Sequence, residues 1–318
     1  MATDTILTHG YPATTTLVAT TLDNRRKDMQ DNIFVDTPAY RFLKSKGQVI
    51  VRGGATIVGS LMFEANDTIG WYHGRDPIQT RGQEGFTTYQ YEWKEAAGSI
   101  NVSNREETIQ NTGESAVYDI VEQKMQQLKL SFNDELATTL YRSSPSALQP
   151  ESLATIVKAT GTVGAVNGST YSWWRANVDT SGSWAAQGPS DLLKLYNDQL
   201  ITGAKPDFHL VTPTISSIYE GSLIPSKRYS GTGEGDMSFS KIAYKGAPVI
   251  FDTKNTSGVW YMLDSRHIQL YVNADNNMKM TKWKEPENQT AKVAQVILAM
   301  EFGTNNRRRQ GLLNTISA

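Results

Sequence analysis

The sequence predicts an α+β protein built around one long helix, a returning set of C-terminal strands and an α/β region inserted between them. Three observations predict this. From Glu114 to Tyr141 the apolar residues Val117, Ile120, Val121, Met125, Leu128, Phe132, Leu136 and Leu140 recur at steps of three and four, the period of a helix with one apolar stripe. The last third carries five short apolar or aromatic runs, GAPVIFD, VWYML, IQLYV, MTKWKE and AQVILAMEF, separated by turn residues, a pattern that reads as an antiparallel sheet. Between them, DLLKLYNDQLITG, FHLVT and PTISSIYEG alternate helix, strand and helix.

Taken in order, residues 1 to about 22 are Thr-rich and without sustained periodicity, which predicts an extended arm. The segment LDNRRKDMQDNIF predicts a short helix before Pro38, and QVIVRGGATIVGSLMF is Val/Ile-rich and Gly-punctuated in the manner of strands. The long helix follows Gly113 and ends before Pro145, and about 28 residues at 1.5 Å each make a rod of roughly 42 Å, well beyond the mean helix of about 11–12 residues. Residues 146–188 shift toward Gly, Ser, Thr and Trp, which predicts loop-rich surface with short strands. Ser190 is placed to cap the next helix, Asp191 suits its positive end and Gly203 its C-cap. GTGEGDMS then predicts a flexible loop. The apolar stripe of the long helix needs a cover, and the returning C-terminal sheet is its natural partner.

The segment from Trp71 to Lys94, WYHGRDPIQTRGQEGFTTYQYEWK, combines polarity that cannot build a core with six aromatics that a free linker would not carry. Gly70, Gly74, Gly82, Gly85 and Pro77 break any helix, while Phe86, Tyr89, Tyr91 and Trp93 sit at the two-residue spacing of a strand. This predicts a long two-stranded excursion. An isolated ribbon lacks the surface to bury Trp71, Tyr72, Phe86, Tyr89, Tyr91 and Trp93, so their ordering needs burial against the rest of the chain or a neighbouring copy. Its length favours the neighbour, and with Arg75 and Arg81 these residues form the candidate subunit interface.

Composition limits the other readings. Lys and Arg total 31 against 32 Asp and Glu, a formal net charge of -1, so no global field holds nucleic acid by phosphate neutralisation and any such contact is local. Cysteine is absent, which removes disulfides, thiolate metal sites and cysteine nucleophiles. No signal peptide and no apolar run approaching about 18 residues is present, so the expectation is synthesis in a cytoplasm with no membrane partner. The sequons at Asn66, Asn101, Asn167, Asn255 and Asn288 then have no glycosylation machinery to meet.

Catalytic patterns were sought residue by residue. His9, His73, His209 and His267 have no i, i+4 partner, neither a phosphate-binding P-loop nor a G-x-S-x-G elbow occurs, and Glu234 and Asp236 in GTGEGD would repel phosphate. Asn273, Asp275 and Asn277 are spaced like the start of a calcium loop, but Met278 replaces the required glycine and Lys284 the terminal acid. The expectation is no enzyme, no cofactor and no metal. Arg25, Arg26 and Lys27 lie among Asp23, Asp28 and Asp31, as on a salt-bridged surface. The densest basic cluster, Arg307, Arg308 and Arg309, faces enclosed nucleic acid, pairs with acidic groups on a neighbouring subunit, or solvates a strand end.

With this order of elements, YKGAPVIFD, WKEPENQTAKVAQV, NNRRRQGLL and VTPTISSIYEG resemble segments of tailed-bacteriophage major capsid proteins of the Hong Kong 97 type. The resemblance spans most of the chain. It implies a Hong Kong 97-like phage capsid fold with an N-terminal arm (1–40), strands and an extended β-ribbon loop (41–100), a spine helix (101–145), an inserted axial domain (146–250) and returning peripheral strands (251–318). It further implies homo-pentamers and homo-hexamers closing into a shell around double-stranded DNA held by weak contacts, assembled in the host cytoplasm, with a separate scaffolding protein or none, and with portal and decoration proteins as further partners. Two alternatives remain open: an encapsulin-like shell around protein cargo, and a glycan-binding protein using Trp173, Trp174 and Trp184.

Overall fold

A computed structural model describes residues 38–46, 48–51, 53–104, 114–203, 205–223 and 242–317. The expected arm and its Arg25–Lys27 helix, and the GTGEGDMS loop, lie outside these residues. The fold is α+β, and the chain divides into two compact units.

The first unit comprises, among the described residues, Ala97–Phe132 and Met280–Val296. It contains most of strand β4 (Lys94–Ser103) and the N-terminal part of the long helix α2 (Glu114–Leu140). The two meet at Gly98, where a Cβ would fall 2.6 Å from Leu128 Cδ1 and 2.7 Å from Phe132 Cε2, so the absent side chain is what lets the strand approach. Lys124 Nζ donates to the Asn101 carbonyl at 2.8 Å. Lys284 and Val293 pair as an antiparallel bridge. The helix is as long as its period predicts, and its stripe is buried toward the C-terminal end, at Phe132, Leu136, Ala137 and Leu140, while Met125 stays 38% exposed.

The second unit holds Val35–Ala96, Asn133–Lys279 and Ile297–Ala318. Here α1 (Pro38–Lys46) buries Ala39, Tyr40 and Leu43. Strand β1 (Gln48–Val51) pairs in parallel with β12 (Ile268–Asn273). β12 in turn pairs antiparallel with the second half of β14 (Ala291–Thr304), from Ile268↔Thr304 to Val272↔Met300. A separate six-stranded mixed sheet has the order β7 (Asn177–Thr180), β15 (Gly311–Asn314), β11 (Trp260–Leu263), β8 (Phe208–Val211), β10 (Ala247–Phe251) and β9 (Ala243–Tyr244). Helices α4 (Gly188–Ile201) and α5 (Pro213–Leu223) contribute Leu192, Leu195, Ile215 and Tyr219 to one core with Trp184, Val211, Trp260, Met262, Leu313 and Ile316. Within it Trp184 stacks on Trp260, ring centroids 5.8 Å apart and 5° from parallel, and fully buried His209 packs edge-on to Tyr244.

The five C-terminal runs therefore do not form one antiparallel sheet. GAPVIFD and VWYML join strands from the inserted region, β10 pairing with β8 in parallel and β11 pairing antiparallel with both β8 and β15. The physical reason is visible in β11, whose four residues are all buried: a strand covered on both faces loses the alternation that would reveal its sheet. The cap of α4 also differs. Its N-cap is Gln187 with Pro189 in the first turn, because Trp184 occupies the space over Gly188, 2.5 Å from where a Cβ would stand. The calcium-like run is a turn, with Asn273 Oδ1 accepting from the backbone of Asp275 and Asn276.

The arginine triplet is split by the fold. It forms a single 3₁₀ turn, and Arg307 is fully buried, which corrects its assignment to a lumen or interface cluster. Its guanidinium donates to four carbonyls: Nε to Ile156 at 2.7 Å, Nη1 to Gly161 at 3.0 Å, and Nη2 to Thr155 at 3.1 Å and Thr160 at 2.8 Å. Two of these carbonyls end the short helix α3 (Leu153–Ile156), where a cation meets the negative end of the helix dipole. Burial pulls the Arg307 pKa down to about 10. Arg308 is exposed and Arg309 half-buried, its Nη1 donating to the Gly203 carbonyl.

Arg307→Ala removes four hydrogen bonds from a fully buried guanidinium, one of them to the buried Ile156 carbonyl, and leaves a cavity, so it is expected to destabilise the subunit by about 3 kcal/mol or more in urea unfolding. Arg307→Lys is expected to recover less than half of that, because one ammonium cannot reproduce the planar fork.

Candidate functional site

The aromatic excursion is the outer part of a hairpin whose first strand precedes it. β2 (Thr56–Met62) pairs with β3 (Phe86–Glu92) in antiparallel register from Thr56↔Glu92 to Met62↔Phe86, and Phe63 N–H donates to the Gly85 carbonyl at 3.0 Å. Residues 64–84 form the loop beyond. The expected two-stranded excursion within Trp71–Lys94 is corrected: residues 64–84 hold no strand, and β3 pairs with residues 56–62, which precede the segment. The Val/Ile-rich run that contains β2 carried the signal for it.

Strand alternation divides the candidate interface residues into two sets. On one face Ile57 faces Tyr91, Gly59 faces Tyr89 and Leu61 faces Thr87. Tyr89 and Tyr91 are 8% and 3% exposed, so these two belong to the chain's own core and are corrected from subunit-interface residues. The Tyr89 ring lies over Gly59, 2.2 Å from where a Cβ would be, a close approach open only to glycine. Its hydroxyl meets that of Tyr271 at 3.2 Å. The Tyr91 hydroxyl donates to the Thr304 carbonyl at 2.9 Å and accepts from Thr304 N–H at 3.0 Å, while its ring covers Gly303. Gln90 N–H donates to the Gly164 carbonyl at 3.0 Å. Trp93 is half-buried and its indole N–H reaches the Gly54 carbonyl at 3.1 Å.

The other face and the loop are bare. Val58, Met62 and Phe86 are exposed on the outer face, and Trp71 (105% exposed), Tyr72, Ile69 and Ile78 on the loop. Large apolar groups thus stand exposed together on the loop and the outer face, the composition of a patch that soluble monomers rarely leave bare. Phe63, at the start of the loop, stacks on Trp173 with centroids 5.5 Å apart and 20° between planes. The loop has its own internal order: Arg81 pairs with Asp67, Gln83 also donates to Asp67, and the Asp76 carboxylate accepts from His73 N–H at 2.9 Å.

Under the hairpin base lies a cavity of ≈ 510 Å³ lined by residues of β3 and β4, the 145–151 segment and Glu301. Glu301 is 1% exposed, and its Oε1 accepts from Glu151 N–H at 2.7 Å and Phe302 N–H at 3.0 Å. Burial is the main cause that pushes its pKa up to about 8, with the nearby Glu151 charge adding to it. No cluster of three or more candidate metal ligands occurs among the described residues, and no helix among them is long and apolar enough to cross a membrane. Trp174 and Trp184 are 1% and 3% exposed, which takes them out of any sugar-stacking platform.

No protein-family model and no curated relative matches the chain by sequence. Solved structures do match along nearly its whole length, and all of the following are shell subunits. The capsid protein of cyanophage A-1(L) has a TM-score of 0.70 at 14% identity, covering 93% of this chain and 97% of that one. The capsid of a native GTA particle has a TM-score of 0.65 at 10% identity, covering 93% and 95%. The SrpI encapsulin complex from Synechococcus elongatus PCC 7942 has a TM-score of 0.58 at 12% identity, covering 95% of both chains. This chain therefore has the fold of those capsid and encapsulin subunits.

Tyr91→Phe removes a hydroxyl bonded twice to Thr304 and is expected to cost about 1–3 kcal/mol of subunit stability, whereas Trp71→Ala is expected to stay within about 0.5 kcal/mol of wild type. A shift in Trp71→Ala as large as that of Tyr91→Phe in urea unfolding would place Trp71 in the core. Burial lets Glu301 hold its proton in the folded chain up to about 8, where the unfolded group, with its ordinary value of 4.5, has lost it. Its contribution is fully present below about pH 4.5 and fades as pH rises through about 8. Glu301→Gln is therefore expected to flatten the loss of thermal stability between pH 5 and 8.

Proposed function

We propose that this chain is the major capsid protein of a tailed bacteriophage, a structural protein that self-assembles through pentamers and hexamers into a closed shell around double-stranded DNA. The observation that carries the proposal is the hairpin: one face is clamped into the core by Tyr89 and Tyr91, while the other face and the loop hold out Phe86, Trp71, Tyr72 and Ile69 with nothing among the described residues to cover them. A fold shared end to end with capsid subunits supports the same reading.

In this reading α2 is the spine helix, residues 146–250 supply the axial domain, residues 1–40 the N-terminal arm, and the loop of residues 64–84 lies over an adjacent subunit. Arg75, Arg81 and the outer-face residue Phe86 add to that contact. Arg308 and the half-buried Arg309 remain as the basic groups for the lumen or a subunit boundary. The near-zero net charge fits retention of DNA by enclosure rather than by tight binding. The partners are further copies of the chain, enclosed DNA, and separate scaffolding, portal and decoration proteins, with assembly in a host cytoplasm. The role is geometric rather than enzymatic.

A second reading, a nanocompartment enclosing protein cargo, is favoured by the likeness to the SrpI encapsulin. Contents separate the two.

Electron microscopy and static light scattering of the purified protein are expected to show closed shells or rings of five and six subunits, with nucleic acid rather than protein inside shells recovered from infected cells. A protein that stays a monomer at every concentration and in co-expression with its genomic neighbours would refute the proposal. The double variant Trp71→Ala, Tyr72→Ala is expected to remain folded by circular dichroism and to assemble poorly.

A further inference from the structure

The cavity under the hairpin base has an unusual electrostatic character. Three carboxyl groups line it, Glu92 from β3, Glu151 from the 145–151 stretch and Glu301 from β14, against one lining cation, Lys94, which pairs with Glu92 at 3.2 Å and also acts on Glu301 through its charge. Glu301 is the sharper observation. It is 99% removed from solvent, so a residue that costs much to bury has been placed against a hollow. Its Oε1 takes two backbone N–H groups, and its Oε2 has no hydrogen bond among the described residues. Tyr91, the remaining ionisable group of the lining, is committed to Thr304. Nothing within the described chain meets the second oxygen.

The loop carries the complementary group. Arg81 is already paired with Asp67, but the Arg75 side chain has no partner among the described residues. It sits at a tight turn, where the His73 carbonyl accepts from Arg75 N–H and Asp76 N–H, and it is flanked by the exposed Trp71 and Tyr72. Leu148, 84% exposed, lies in the chain between the lining residues Ala147 and Gln149. A cation beside bare aromatics thus matches an acidic hollow beside a bare leucine.

We propose that the Glu151–Glu301 cavity is the docking seat for the Arg75 guanidinium of a second copy, with that copy's Trp71 and Tyr72 resting on Leu148. The occupant is the same chain because the complementary pattern is written on it. Glu301 keeps its proton while the seat is empty, and a docked guanidinium favours its ionised form, its fork of donors meeting Glu301 Oε2 and the Glu151 carboxylate together as a lysine would not. The inference rests on the shell reading and names one contact through which it is built.

The absence of cysteine from the sequence permits a clean test. His73→Cys and Ala147→Cys are made as separate variants, mixed before assembly and oxidised mildly. Ala147 is an exposed residue of the cavity lining, so a disulfide-linked dimer is expected from the mixture and not from either variant alone. Adding Arg75→Ala to the first variant, or Glu301→Gln to the second, is expected to lower its yield about tenfold or more, the scale of a truncated buried charge pair. Arg75→Ala lies on the exposed loop and leaves folding intact, so the test stands even where Glu301→Gln fails to fold. Shells that form without the cross-link, or a yield indifferent to Arg75→Ala, would overturn the docking seat while leaving the shell reading in place. A mixture that never assembles would overturn both.

Discussion

The two hydrogen bonds between the Tyr91 hydroxyl and the Thr304 backbone are the constraint on which the rest of the proposed assembly surface depends. A two-stranded ribbon has no independent stability in water, and its direction in space is undefined unless its base is fixed. Tyr91 fixes it by satisfying both backbone polar groups of Thr304 at once. Those groups lie at the end of a 14-residue strand, in register with Ile268 of β12. Tyr89 adds a second point through Tyr271, and Gly59 and Gly303 supply the clearance that lets both rings lie flat against backbone. The hairpin is therefore a lever with a rigid fulcrum.

A comparable economy holds the 155–161 turn. Four carbonyls converge on a single guanidinium, and that of Gly161 also accepts from Gly168 N–H at 3.0 Å. Charge is expensive to bury, yet here it replaces four separate donors, and the helix end it faces offsets part of the cost. The same turn presents Gly164, whose carbonyl ties down β3. Arg307 thus supports the hairpin indirectly, through the segment the hairpin leans on.

How much of this was legible follows from which signals are local. The long helix was legible because eight apolar residues keep one period over 27 residues. The ribbon was legible from its alternation, but its partner strand was not, since pairing register is set by residues far apart. The splitting of Tyr89 and Tyr91 from Phe86 follows the wrong parity for a single face: positions 89 and 91 share a face and 86 does not, and the sequence offers no sign of which face finds a core. Arg307 resembles its neighbours in every local respect. Only the tertiary placement of four carbonyls separates a buried staple from a surface charge. The sheet membership of β11 was hidden for a related reason, because full burial erases periodicity.

These two kinds of aromatic residue on one hairpin imply a division of labour in energy as well as in space. The inner rings lose their solvent exposure when the subunit folds, so their stabilisation is already spent before a second copy arrives. The outer rings keep theirs until association, and a pre-oriented surface loses less conformational entropy on docking than a mobile loop would. An assembly of many copies needs contacts that are individually modest, because strong ones would lock errors into a growing shell. A neutral chain with a rigid, aromatic and locally charged arm meets that requirement: the anchor makes the contact specific in direction, while its strength is limited to a few exposed side chains and the salt-sensitive attraction of the charges beside them.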